Sequence, residues 1–202
     1  MHFQQLIQIK QKIQIALLAI SAVTTQVHAA TLLDTGTPDG SGFPLVLDGT
    51  DYVASEFHLN SGITINNIAG YLTSGNNGDT FTVALYQDNN GHVGTQLQST
   101  QATFVADGWN DTAALNWNAG PGNYWVAFEV SSADNFASYM LPLSSPNHAL
   151  ATAFNDGSGY HNFVGFDYGV RVTGVEAVPL PGAMWLFASA VGVIAARKKQ
   201  RV

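Results

Sequence analysis

The sequence predicts an all-β protein, an antiparallel β-sandwich of jelly-roll type. Three observations carry this. Short apolar or alternating runs recur through the middle of the chain, separated by Gly, Asn, Asp, Ser and Thr, the pattern of many short strands joined by tight turns. Nothing between Thr31 and Thr173 keeps a helical period over a dozen residues. Between the two termini lie roughly 150 residues, enough for one domain with a proper core, and no Pro- or Ser-rich linker divides them.

The elements follow in chain order. Residues 1–29 read as a secretory leader. Lys10 and Lys12 supply the positive end, Ile13 to Val23 the short apolar stretch, and Val27 and Ala29 the small residues before a cut after Ala29. The apolar stretch is shorter than the roughly 20 residues of a spanning helix. Signal peptidase is the partner this layout implies.

Residues 30–176 form the expected sandwich. Val53 to Leu59 alternates, with Val53, Ser55, Phe57 and Leu59 on one face. Ile63 to Leu72 slips phase near Asn66-Asn67, which predicts a bulge or bend. Asp79 to Gln87 has Phe81, Val83 and Leu85 on one face. Gln96 to Val105 and Thr112 to Trp117 come next. Asn123 to Val130 sets Tyr124, Val126, Phe128 and Val130 against Trp125, Ala127 and Glu129. Phe136 to Met140, Leu150 to Phe154 and Phe163 to Val172 complete about nine strands. Gly75 to Gly78 and Asn89-Asn90-Gly91 supply residues that tolerate positive φ at turns.

Residues 177–202 mirror the leader. Val178-Pro179-Leu180-Pro181-Gly182 precedes an apolar run, Ala183 to Ala196, and then the basic cluster Arg197, Lys198, Lys199 and Arg201. Prolines stop any element arriving from the body. The apolar run is at the short limit for a transmembrane helix, and the basic cluster resists translocation. The expected precursor is therefore tethered in the inner membrane with its body outside.

Charge sharpens the division. Six of the seven Lys and Arg lie in the terminal segments, and all fourteen Asp and Glu fall between Asp34 and Glu176. Arg171 is the one body cation, so one arginine against fourteen acidic residues leaves the body at −13. Such a surface repels nucleic acid and anionic lipid. The chain has no cysteine, so neither disulfides nor thiolate metal sites enter.

The order Val178-Pro179-Leu180-Pro181, apolar helix, Arg/Lys cluster resembles the PEP-CTERM sorting signal in its VPLPA variant, with Gly182 where that variant more often has Ala. The resemblance implies a Gram-negative-type bacterium, an exosortase-like membrane protease or transpeptidase as partner, cleavage near the prolines, and release to or attachment at the cell surface beside exopolysaccharide. In the body, Phe81 to Leu97, Pro121 to Val130 and Phe166 to Gly174, with Thr31 to Gly36 and Ser55 to Leu59, resemble the choice-of-anchor R type of bacterial surface domain. That resemblance implies a jelly-roll-like module with no established activity, and no catalytic motif to carry over.

Chemistry read from the residues is sparse. Gly157-Ser158-Gly159 lacks the strand–turn–helix setting of a G-x-S-x-G elbow. The histidines show no zinc spacing. Glu56 and Glu129, the body glutamates a glycosidase would need, fall opposite apolar strand faces and are expected to face solvent. The expectation is a non-enzymatic protein without a cofactor.

Two binding chemistries remain. Asp107 and Asp111 place two carboxylates in one loop and are the candidate calcium ligands, although turn-forming Asx residues account for them equally. Asp88-Asn89-Asn90-Gly91 resembles the start of an EF-hand loop but lacks the later Glu. Trp109, Tyr139, Tyr160 and His161 lie in or near Asn-, Asp- and Gly-rich loops and are the candidate glycan-contacting residues of a lectin-like module. Capping of the sandwich ends is the competing role for these aromatics, and Trp117 and Trp125 are assigned to packing.

Overall fold

The computed structural model describes residues 29–39, 44–143, 149–163 and 166–176, all within one compact unit, Ala29–Ala177. The expected leader up to His28 and the expected sorting segment, with Val178 to Gly182 and the basic tail, lie outside the described residues. Every regular element described is a strand: β1 (Ala29–Asp34), β2 (Leu45–Leu47), β3 (Asp51–Leu59), β4 (Ile63–Thr73), β5 (Thr80–Asp88), β6 (Val93–Thr103), β7 (Gly108–Asp111), β8 (Trp117–Ala119), β9 (Gly122–Glu129), β10 (Ser138–Met140), β11 (Thr152–Asp156), β12 (Tyr160–Phe163) and β13 (Val170–Glu176). Among the described residues no helix is long and apolar enough to cross a membrane.

The strands form two antiparallel sheets. The first, sheet A, is organised on β4. One edge of β4 pairs with β13 and then β10, and β1 and β2 extend the sheet from these. The other edge pairs with β8 along Ile63 to Ile65 and with β7 along Ala69 to Leu72. Sheet B runs β12-β11-β3-β9-β5-β6. The alternation expected on β3, β5 and β9 holds. Val53, Phe57, Leu59, Phe81, Val83, Leu85, Val126 and Phe128 point inward and meet Ile65, Ile68, Leu72, Val170 and Val172 from sheet A. The sheets approach closely at Gly70, where an added Cβ would stand 2.5 Å from Phe128 Cε1.

The slip near Asn66-Asn67 is a bulge. Asn67 pairs with Thr173 while Ile65 pairs with Gly174, which leaves Asn66 over. The irregularity also breaks up the strand expected over residues 112–117, of which only Trp117, the first residue of β8, lies in a strand. There Thr112 Oγ1 accepts from the Ile68 N–H at 3.1 Å and the Leu115 N–H donates to the Asn66 carbonyl at 2.9 Å. The chain loops past the bulge and pairs only before it, as β7, and after it, as β8. The strand expected over residues 163–172 likewise divides, because β12 joins sheet B and β13 joins sheet A. β1 opens at Ala29, the last residue of the expected leader, and pairs it with Val175.

Candidate functional site

Sheet B buries residues on its outer face as well as its inner one. The residues there alternate with the core positions, and register aligns four of them in a row. Ala153 stands opposite Ala54, Ala54 opposite Ala127, and Ala127 opposite Ala84. An outer strand face usually carries polar side chains. This one carries a floor of methyl groups, all 0 % exposed, beneath Trp125, Tyr86, Val93 and Tyr160.

The cover comes from both ends of the sheet. β12 and β5 are four strands apart, about 19 Å in a flat sheet, yet the Tyr86 and Tyr160 rings lie 5.8 Å apart in an edge contact. The tip of the β5–β6 hairpin also meets β12, where Asn162 Nδ2 donates to the Gly91 carbonyl at 2.6 Å. The sheet therefore curls and the hairpin folds over its outer face. Asn90 (φ 55°) and Gly91 (φ 79°) make the tight turn at the tip, the two-residue geometry that needs positive φ at both positions. Asp88 braces it by accepting from the Gly91 N–H at 3.0 Å and from Trp125 Nε1–H at 3.0 Å.

A carboxylate sits inside this roof. Tyr86 and Tyr160 both donate their hydroxyls to Glu129 Oε1, each at 2.6 Å. Burial pushes both phenols above their ordinary range, and the Glu129 carboxylate they bond adds to the rise. Glu56 corrects an expectation, because it is 5 % exposed instead of facing solvent. Its backbone bonds the chain at Leu150 and Ala151, and its Oε1 accepts from Asn123 Nδ2 at 2.8 Å. Asn123 Oδ1 in turn lies 2.6 Å from His58 Nδ1. Burial raises the Glu56 carboxyl above its ordinary value, the charge of Asp88 adds to this, and the Asn123 donor opposes it. Beside Asp88 opens a cleft of about 520 Å³ lined by Gln87, Asp88, Asn89, Val93, Gly94 and Thr95. Its amides, carboxylate and backbone suit a hydroxyl-rich ligand.

The four candidate glycan-contacting residues are not brought together. Trp109 and Tyr139 lie on the outer face of sheet A, flanking β4 opposite Tyr71 and Thr73. Tyr139 is 41 % exposed. Trp109 is half-buried and engaged, its ring perpendicular to that of Tyr71 with centroids 5.5 Å apart and Arg171 Cζ 3.8 Å from the Trp109 centroid. Arg171 also sets Nε 3.1 Å from both Asp34 oxygens. Tyr160 and His161 belong to β12 in the other sheet. Tyr160 packs on Tyr86, and His161 Nε2 lies 2.9 Å from Ser158 Oγ. The four therefore lie in two separate pairs, because β7 and β10 join one sheet and β12 the other.

Asp107 and Asp111 do not converge either. Asp107 precedes the extended β7 and Asp111 ends it, so their backbones stand about 13 Å apart at ~3.3 Å per residue. Asp107 accepts from the Ser74 N–H at 2.7 Å and Asp111 from Asn67 Nδ2 at 2.8 Å. Among the described residues no group of three or more His, Asp or Glu side chains is placed to hold a metal ion. Asp88 to Gly91, the EF-hand-like run, is the hairpin turn itself.

Sequence reading weighed Glu56 only as a glycosidase carboxylate and Asp88 only as the start of an EF-hand-like loop, and it passed over Tyr86 and Asn162. One signal was available: Ala54, Ala84 and Ala127 each fall on the outward phase of their strand.

No protein-family model and no curated protein matches the chain. Among solved structures it is similar to the cysteine protease and lectin-like domains of Cwp84, a surface layer associated protein of Clostridium difficile, at 11% identity and TM-score 0.44, covering 65% of this chain and 33% of that one. It is also similar to a variant of the clostridial cysteine protease Cwp84 after propeptide cleavage, at 11% identity and TM-score 0.45, covering 71% of this chain and 41% of that one. The chain therefore spans less than half the length of either.

Proposed function

We propose that this chain is an exported, non-enzymatic surface or extracellular-matrix protein, delivered by an exosortase-type system and associated with exopolysaccharide. The observation that carries the reading is the tail. A proline motif, an apolar run and a basic cluster follow one another at residues 178–202, and the remaining cations but one sit in the leader. The body between them is an acidic sandwich that sorting machinery would carry outward as cargo. Its charge keeps copies soluble and apart from anionic surfaces. Support for a non-enzymatic role comes from the two strand glutamates, which are engaged by Asn123, Tyr86 and Tyr160 within the fold. Localisation and intact mass in the native host, with and without its exosortase, test the reading. A product shortened at both ends and outside the inner membrane is expected only with the enzyme, and an unchanged full-length mass in both strains sinks it.

A carbohydrate-binding module is the second reading. It is favoured by the polar cleft beside Asp88 and by Tyr139 and Trp109 sharing one outer sheet face. Stacking on aromatic faces with amides reading hydroxyls is the chemistry it would use. Glycan arrays and pull-down with the host's own polysaccharide test it, and silence in both removes it.

A further inference from the structure

Tyr86 on β5 and Tyr160 on β12 are 74 positions apart in the chain and share one acceptor. Both hydroxyls donate to Glu129 Oε1 at 2.6 Å, the short length of a charge-assisted O–H···O⁻ bond. The two phenol oxygens therefore stand at most twice 2.6 Å apart. The rings meet in an edge contact, with centroids 5.8 Å apart and planes at 66°. Convergence of the hydroxyls on one atom also draws the ortho carbons, their near neighbours on each ring, toward one another. Tyr86 Oη lies 3.1 Å from Gln96 Oε1 as well, a longer contact to a neutral amide. Burial, with the Glu129 carboxylate, holds both phenols above their ordinary range, so both keep their protons at neutral pH. Tyr86, Tyr160 and Glu129 are each half-buried, held in place yet within reach of electron transfer from the surface.

We propose that Tyr86 and Tyr160 form a cross-linking site, where a peroxide-driven one-electron oxidant couples the two rings into dityrosine with Glu129 as proton acceptor. Each phenol loses one electron to the oxidant and its hydroxyl proton to Glu129, which passes it to water before taking the next. The spin of each phenoxyl radical is shared with its ortho carbons, and one such carbon of each ring joins the other in a C–C bond. The hydrogen on each joined carbon then leaves as a proton while a proton returns to each phenol oxygen. The net loss is two electrons and two protons, which reduce one hydrogen peroxide to two waters. The chain has no cysteine, so no disulfide can staple it. The roof over the alanine floor is otherwise held by noncovalent contacts between strands far apart in sheet B. A bond between Tyr86 and Tyr160 would fix the curl of that sheet and, like a disulfide across a long loop, restrict the unfolded chain. The geometry belongs to the folded body and does not depend on export.

The full chain in mild detergent is treated with a haem peroxidase and hydrogen peroxide, and the monomer is separated and digested. Dityrosine fluorescence is expected in a monomer lighter by two hydrogens, with Tyr86 and Tyr160 as the joined pair and a melting temperature above that of the untreated chain. Tyr139, 41 % exposed and in the other sheet, is expected to couple between molecules instead. Tyr86→Phe should abolish the product within the monomer and leave coupling between molecules intact. Glu129→Gln, which keeps an acceptor of the same size but a far weaker base, should slow the coupling within the monomer at least about tenfold. Mapping in the parent chain decides the matter if a variant fails to fold. A product within the monomer that joins Tyr52 or another tyrosine instead overturns the proposal. So does an unchanged rate in Glu129→Gln, or no Tyr86–Tyr160 product while free tyrosine couples in a parallel reaction.

Discussion

Gly70→Ala tests the core where the two sheets come closest. Gly70 lies mid-strand on β4 and pairs with Val170 and Asn110. A Cβ there would stand 2.5 Å from Phe128 Cε1 and 3.0 Å from Cδ1 and Cζ. Carbon atoms prefer roughly 3.5–4.0 Å, so the ring must retreat by about 1 Å. It has little room, since Phe128 is 0 % exposed and Phe81 packs 6.2 Å away, centroid to centroid. Overpacking of this kind costs about 1–3 kcal/mol. The smaller entropy of an alanine-containing unfolded chain returns roughly 0.4–1 kcal/mol. The expected net loss is about 1–2 kcal/mol, or roughly 3–6 °C in Tm for a domain of this size. Urea unfolding of Gly70→Ala, Phe128→Leu and the double variant forms the cycle. Phe128→Leu alone loses about 1–2 kcal/mol of packing. Because it also vacates the space the methyl needs, the double variant should be hardly worse than Phe128→Leu. A Gly70→Ala variant as stable as the parent, or two losses that simply add, would refute the close approach.

Three further outcomes follow from the ionisable groups. Glu56 has its folded carboxyl raised, above all by burial, so its contribution is fully present below the ordinary 4.5 and is lost as pH rises through the folded value. Glu56→Gln, which keeps an acceptor for Asn123, should match the parent at pH 4 and surpass it at pH 7.5 in urea midpoint; a deficit at pH 7.5 as large as any at pH 4 counts against this. Asp134 has the opposite sign. Burial acts upward on it, but donors from Thr82, Gln101 and Ser131 outweigh that and hold its carboxyl low. Its contribution is present above the ordinary 3.8 and lost as pH falls through the folded value, so Asp134→Asn should cost about 1–2 kcal/mol at pH 7 and progressively less in acid. Tyr86 and Tyr160 stay protonated beyond the ordinary phenol range. Ultraviolet titration at pH 11 should show fewer ionised tyrosines in the native protein than in guanidinium, and Glu129→Gln should narrow the gap.

Much of the sandwich was legible because a strand writes its faces into the sequence with period 2. Phe81, Val83 and Leu85, and Tyr124, Val126 and Phe128, sit on the inner side that alternation assigned them. Asn90-Gly91 announced its hairpin, and the phase slip at Asn66-Asn67 announced its bulge. The −13 body and the basic ends are a matter of counting. These features depend on a residue and its near neighbours. What covers a strand depends on residues far away in the chain. Glu56 reads as solvent-facing until Leu150 and Ala151 pair with its backbone and Asn123 meets its carboxylate. Trp109 reads as a free ring until Arg171, 62 positions further on, lies across it. The alanine floor exists only because three registers agree, and its roof only because Tyr86 and Tyr160 meet from strands at different ends of one curled sheet. Local alternation therefore determined which residues face inward, and the tertiary structure alone decided that the opposite face of sheet B would also be closed.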